Sequence, residues 1–168
     1  MIFGMTTATF TLVHVGLSLI GIGSGFVVIF GPLSGRGLKG WTALFLASTV
    51  LTSVTGFGFP FHQLSPALYV GIISLVVLVA AILARYAFHL EGAWRRIYVI
   101  SSVIALYFNV FVAIVQAFEK VPALRAVAPK QSEPPFVVTQ LAVVVLFVVL
   151  GKMASSRFRS EPMRTATS

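Results

Sequence analysis

Few side chains in this sequence could do chemistry. His14, Asn109 and Gln116 are embedded in long apolar stretches, Thr52 lies in another, and His62 sits in the aromatic segment Gly56 to Pro66. Imidazoles, amides and hydroxyls of this kind bind by hydrogen bonding, and in lipid the same groups also tie helices to one another. A pocket built from them suits a small neutral or amphipathic molecule, held for binding or permeation or as an accessory part of a larger membrane complex.

A redox alternative draws on the same residues. His14 and His62 could act as axial ligands of haem b, or His14 could hydrogen-bond a quinone head group. Haem ligation by this pair needs one imidazole from beyond Pro60, and the sequence lacks the paired intrahelical histidines of a strong haem signature. The expectation without this alternative is that there is no cofactor.

Other chemistries are missing their parts. The chain has no cysteine, and all four of its acidic residues are glutamates, Glu91, Glu119, Glu133 and Glu161, outside the apolar stretches. Thiol catalysis, thiolate metal sites and intramembrane carboxylate proton relays therefore lack residues. Histidines at 14, 62 and 89 do not form HExxH, and no Ser-His-acid set is visible. No catalytic or metal-ligating residue is assigned, and a non-enzymatic role is expected.

The elements that must position these groups are membrane helices. The 168 residues have a mean hydropathy of +1.00 and are 58% hydrophobic and 10% charged; soluble domains carry about 25% charged residues. Crossing the hydrocarbon takes about 20 mostly apolar helical residues. Five stretches qualify, at 8–33, 41–59, 64–90, 93–118 and 136–153, and none alternates like an outer-membrane barrel strand. The fold class expected is an all-α polytopic bundle in one domain, residues 1–153, with a polar basic tail at 154–168. The fifth stretch is the weakest by composition, being short, valine-rich and interrupted by Gln140. No basic n-region precedes the first stretch, so that span is expected to be retained.

Charge orients the bundle. Arg36, Lys39, Arg85, Arg95, Arg96, Lys152, Arg157, Arg159 and Arg164 share one side of a five-span arrangement, while Lys120, Arg125 and Lys130 share the other. The positive-inside rule puts the N-terminus outside and the C-terminus in the cytoplasm, as in the small multi-pass proteins of the bacterial inner (plasma) membrane. The net charge of +8 is absorbed by this pattern, and no nucleic-acid partner is expected. Arg85, His89, Arg95 and Arg96 form a basic girdle suited to anionic lipid at the interface. The partners expected are the bilayer itself and a second copy or another membrane subunit.

Small and polar residues mark inward faces. His14, Ser18, Gly21 and Gly25 recur at helical spacing, as do Ser102, Ala105, Asn109, Ala113 and Gln116, and Ala67, Gly71, Ser74, Ala81 and Arg85. Thr49, Thr52, Ser53 and Gly56 mark the second stretch, with Thr55 beside them. The fifth has no comparable stripe, so a four-helix core with a peripheral fifth helix is expected. The glycines at 21, 23 and 25 do not make a dinucleotide loop, which requires a strand before them.

Overall fold

The computed structural model describes residues 4–31, 38–59 and 66–157. Among them there is no strand, and the order is α1 (Thr7–Phe30), α2 (Lys39–Gly56), α3 (Pro66–Ile82), a π-helical turn (Leu83–Ala87), α4 (Trp94–Lys120), α5 (Pro122–Val127) and α6 (Pro134–Arg157). Residues 60–65, with His62, and residues 158–168 of the basic tail lie outside the described residues.

Local chemistry sets the helix ends. The Thr6 side chain caps α1 by accepting from the Thr9 N–H at 3.2 Å, and α6 opens on Pro134 and Pro135, where the missing N–H groups have no helical partner to lose. α3 closes through wide hydrogen bonds, Phe88 N–H to the Leu83 carbonyl and Leu90 N–H to the Ala84 carbonyl, both 2.9 Å. Closing the helix this way puts His89 and Leu90 at φ of 48° and 61°. His89 therefore stands in a left-handed turn instead of one helical turn beyond Arg85.

Among the described residues, four helices are long and apolar enough to cross a membrane: α1, the helix of residues 68–87, α4 and α6. The shortfall is not where composition suggested. α6 runs 24 residues and takes in 154–157, assigned above to the tail. α2 has 18 residues and carries Thr42, Ser48, Thr49, Thr52, Ser53 and Thr55. Of these, Thr42, Ser48, Thr49 and Thr52 are buried in the protein, so the polarity of α2 faces its neighbours. By contrast Leu12, Leu19, Val76, Val79, Val138 and Val145 are more than half exposed. An apolar exterior of this extent suits acyl chains and is foreign to a water-soluble surface.

α1 to α4 form an antiparallel ring in which each helix packs on the next and α4 returns to α1. α4 is the hub: 44% of its spanning window is buried, against 17 to 22% for the other three. α6 packs along the outside of α4, with Tyr107 edge-on to Phe147 and Phe118 to Phe136. Its Gln140 side chain donates to the Phe111 carbonyl at 3.3 Å.

The ring has two unlike ends. Where the C-terminal half of α1 meets the start of α2, the end of α3 and the start of α4, the core is closed: Phe45, Leu78, Ala81, Ala84, Ala105 and Leu106 are fully buried. Gly25 lets α1 approach there, since a Cβ on it would lie 2.7 Å from Leu106 and 2.9 Å from Phe45. The opposite end is hollow.

Candidate functional site

The hollow end contains a cavity of about 350 Å³ between α1, α2, α3 and α4. Four of the five sequence-selected residues line it: His14 from α1, Thr52 from α2, and Asn109 and Gln116 from α4. The fifth, His62, lies outside the described residues. Each comes from the small-residue stripe of its helix, which is why helical spacing alone placed them on inward faces.

The floor is polar. The Asn109 Nδ2 donates to the Thr49 Oγ1 at 3.3 Å, and both residues are buried. Gly21 makes room for this bond, because a Cβ there would sit 3.0 Å from Asn109 Nδ2 and 3.1 Å from Thr49 Oγ1. One turn along α2, the Ser53 hydroxyl donates to that of Ser74 on α3 at 3.3 Å. Thr52 turns its hydroxyl to the Ser48 carbonyl at 2.9 Å, meeting its own need inside its helix. Below this layer lies the closed core.

His14 stands on the wall about two helical turns, roughly 10 Å, above Gly21. Its Nδ1 is 2.8 Å from the Thr55 hydroxyl, which donates to the Leu51 carbonyl at 2.7 Å. A bond that Thr55 sends to its backbone leaves the hydroxyl oxygen to accept, which makes Nδ1 the donor; when the imidazole is neutral, Nε2 is then its acceptor. Phe59 sits edge-on to His14 at 5.3 Å and to Phe10 at 5.0 Å. These rings form an aromatic rim.

Phe57, Phe59, Phe108, Val15, Leu68 and Val112 make most of the wall apolar. Among the described lining residues, charge enters only at the mouth, where Glu119 and Lys120 are 3.5 Å apart and both more than half exposed. The site thus grades from a charged mouth through an apolar wall to a neutral hydrogen-bonding floor. Phe57 and Gly71 were missed as site residues; a Cβ on Gly71 would meet the Phe57 ring at 3.2 Å. The aromatic character of the segment Gly56 to Pro66 is legible in the sequence, but not which rings turn inward.

The short α5 and the loop after it cover the same end of the ring. Gln131 ties that loop to α4 by donating to the Val115 carbonyl at 3.0 Å. The Glu133 carboxylate accepts the backbone N–H groups of Lys130 at 3.1 Å and Ser132 at 3.0 Å. Desolvation is the largest single influence and raises its pKa; the backbone N–H groups and the Lys130 charge together outweigh it and hold the carboxyl below the ordinary carboxylate value.

The basic girdle lies at the packed end. Arg85 sits on the π-helical turn with its guanidinium 5.5 Å from the Tyr98 ring and 5.9 Å from that of Tyr86. Arg95 is half-buried, and His89 and Arg96 are exposed. These four share one end of the bundle, remote from the cavity. Among the described residues no three His or Glu side chains gather as a metal site would need. No protein family, curated protein or solved structure matches this chain.

Proposed function

We propose that this protein is a five-span membrane protein whose cavity binds a small neutral or amphipathic molecule. α2 crosses as the fifth span because its hydroxyls face the other helices or their own backbone, so little polarity meets lipid. The positive-inside count of nine basic residues against three orients it with the N-terminus outside and the C-terminus in the cytoplasm, which suits the inner (plasma) membrane. The cavity then opens from the outer face, and the basic girdle meets the anionic inner leaflet.

The observation that carries the reading is the cavity itself. It has the size of a small-molecule pocket, apolar walls and a few convergent polar groups, and it lies between the helices of a bundle. Structural glue alone would close helices around Asn109 and His14; here both line open space. The absence of charge below the mouth favours a neutral group in the depths.

Two experiments test the proposal. Protein extracted in mild detergent is examined by native mass spectrometry, beside Val112→Trp, which fills the cavity. A small neutral or amphipathic adduct present on the first and missing from the second supports the reading; identical spectra from both folded proteins refute it. For topology, His62→Cys in this cysteine-free chain should react with an impermeant thiol reagent on intact cells. Labelling only after lysis would invert the orientation.

A further inference from the structure

Asn109 is more than nine-tenths buried, yet it lines the cavity with its carboxamide side chain. It offers two N–H donors and a carbonyl oxygen with two lone pairs. One N–H is taken by Thr49. The remaining capacity faces a cavity whose walls are mostly apolar and in which Thr52 has satisfied its own hydroxyl through Ser48. A buried amide so incompletely used is costly in a membrane interior unless something entering the cavity completes it.

The cavity is also blind. Beneath the layer of Gly21, Thr49 and Asn109, the ring is plugged by Phe45, Leu78 and Leu106, each fully buried. From Asn109 to Glu119 the wall climbs ten residues, about 15 Å of helix. A volume of about 350 Å³ over that depth holds one narrow molecule and leaves no room for two abreast. Nothing that enters passes on through the packed end.

We infer that the ligand is a neutral, hydroxyl-bearing hydrophobe, an alcohol or phenol, held with its hydroxyl inward and donating to the Asn109 carbonyl oxygen. The aromatic wall of Phe57 and Phe108 takes the apolar body, and the charged pair at the mouth stays hydrated. Permanent ions are excluded from the floor, because it holds no countercharge. This inference rests on the binding role proposed above and makes the site a terminal pocket instead of a pathway.

The test uses two probes of nearly equal shape, 2-naphthol and 2-methylnaphthalene, titrated against the full chain in detergent with thermal unfolding as the readout. Naphthol should bind about tenfold more tightly than its methyl analogue, the value of one buried hydrogen bond. Asn109→Leu should erase that difference, and Val112→Trp should abolish binding of both. If Asn109→Leu does not fold, Asn109→Ala makes the same comparison, and Thr49→Val, which frees the second donor, should keep the preference for naphthol. Equal binding of both probes, lost in Val112→Trp, would overturn the hydroxyl-inward assignment and leave the cavity as a binding site. Failure of both probes to bind the folded protein would overturn the assignment together with the binding role.

Discussion

The two ends of the helical ring are built from the same four helices and obey opposite rules. At the packed end, α1 and α4 approach through Gly25, and Phe45 and Leu106 fill the centre with no measurable exposure. At the cavity end the helices part around His14, Thr52, Asn109 and Gln116, and the centre stays open. Between lipid-exposed surfaces nothing forces a bundle to expel water or to close; van der Waals packing and hydrogen bonds must do it. Large apolar side chains on inward faces supply that at one end. Small polar ones at the other leave a space that needs an occupant.

The contrast can be broken most severely at the packed end. Phe45→Ala should cost about 3 to 5 kcal/mol, because it leaves a void the neighbours cannot fill. Phe59→Ala, on the cavity rim, should fall well short of that. Reversible unfolding in mixed micelles measures both; equal losses would mean that the cavity end is as tightly packed as the other.

A smaller effect is expected at the boundary between the ends. Gly21→Leu drives a side chain into the Asn109–Thr49 bond and should cost about 1 to 3 kcal/mol. Gly16, where an added methyl group would meet nothing within 4 Å, offers the control. Gly16→Ala should be neutral or stabilise by about 0.5 to 1 kcal/mol, since alanine is the better helix former. If both substitutions behave alike, Gly21 is not the residue that admits the polar floor.

His14→Ala should remove only about 0.6 kcal/mol, because Thr55 keeps its bond to the Leu51 carbonyl. A loss several times larger would make His14 a structural strut and weaken its place in the binding site.

The smallest effect concerns the cover of the cavity end. Glu133 has a lowered pKa in the folded protein, so its stabilising contacts are fully present above its ordinary value of 4.5 and are lost as pH falls through the lower folded value. Hydrogen exchange at the Lys130 and Ser132 amides should therefore speed up only in that acidic window, after correction for intrinsic rates. Glu133→Gln should flatten the transition, and an unchanged profile would show that the carboxylate does not hold the loop.

Much of the cavity end was legible in the chain. Helical spacing alone put His14, Asn109 and Thr52 on small-residue faces, because a buried polar group in lipid needs a near neighbour and small residues allow one. Gln116 was selected by the same spacing, and it lines the cavity although much of the residue is exposed. His89 escaped this logic: its position depends on how α3 terminates, through hydrogen bonds that span five and six residues. α6 was underrated because its valines and Gln140 weaken it by composition, whereas packing on α4 and a bond to the Phe111 carbonyl support it. α2 was ranked above it, yet most of the hydroxyls that lower its hydropathy are buried in the protein.

By itself the sequence determined the solvent, the helical class and the inward faces, since hydropathy, length and a 3.6-residue period act locally along the chain. Only the tertiary structure decided that the two ends differ. Whether an inward face closes or encloses space depends on what stands across from it, on Leu106 and Phe45 meeting Gly25 and on Asn109 meeting Thr49 beside Gly21. Those partners come from different helices, far apart along the chain, and no period in the sequence records the distance between them.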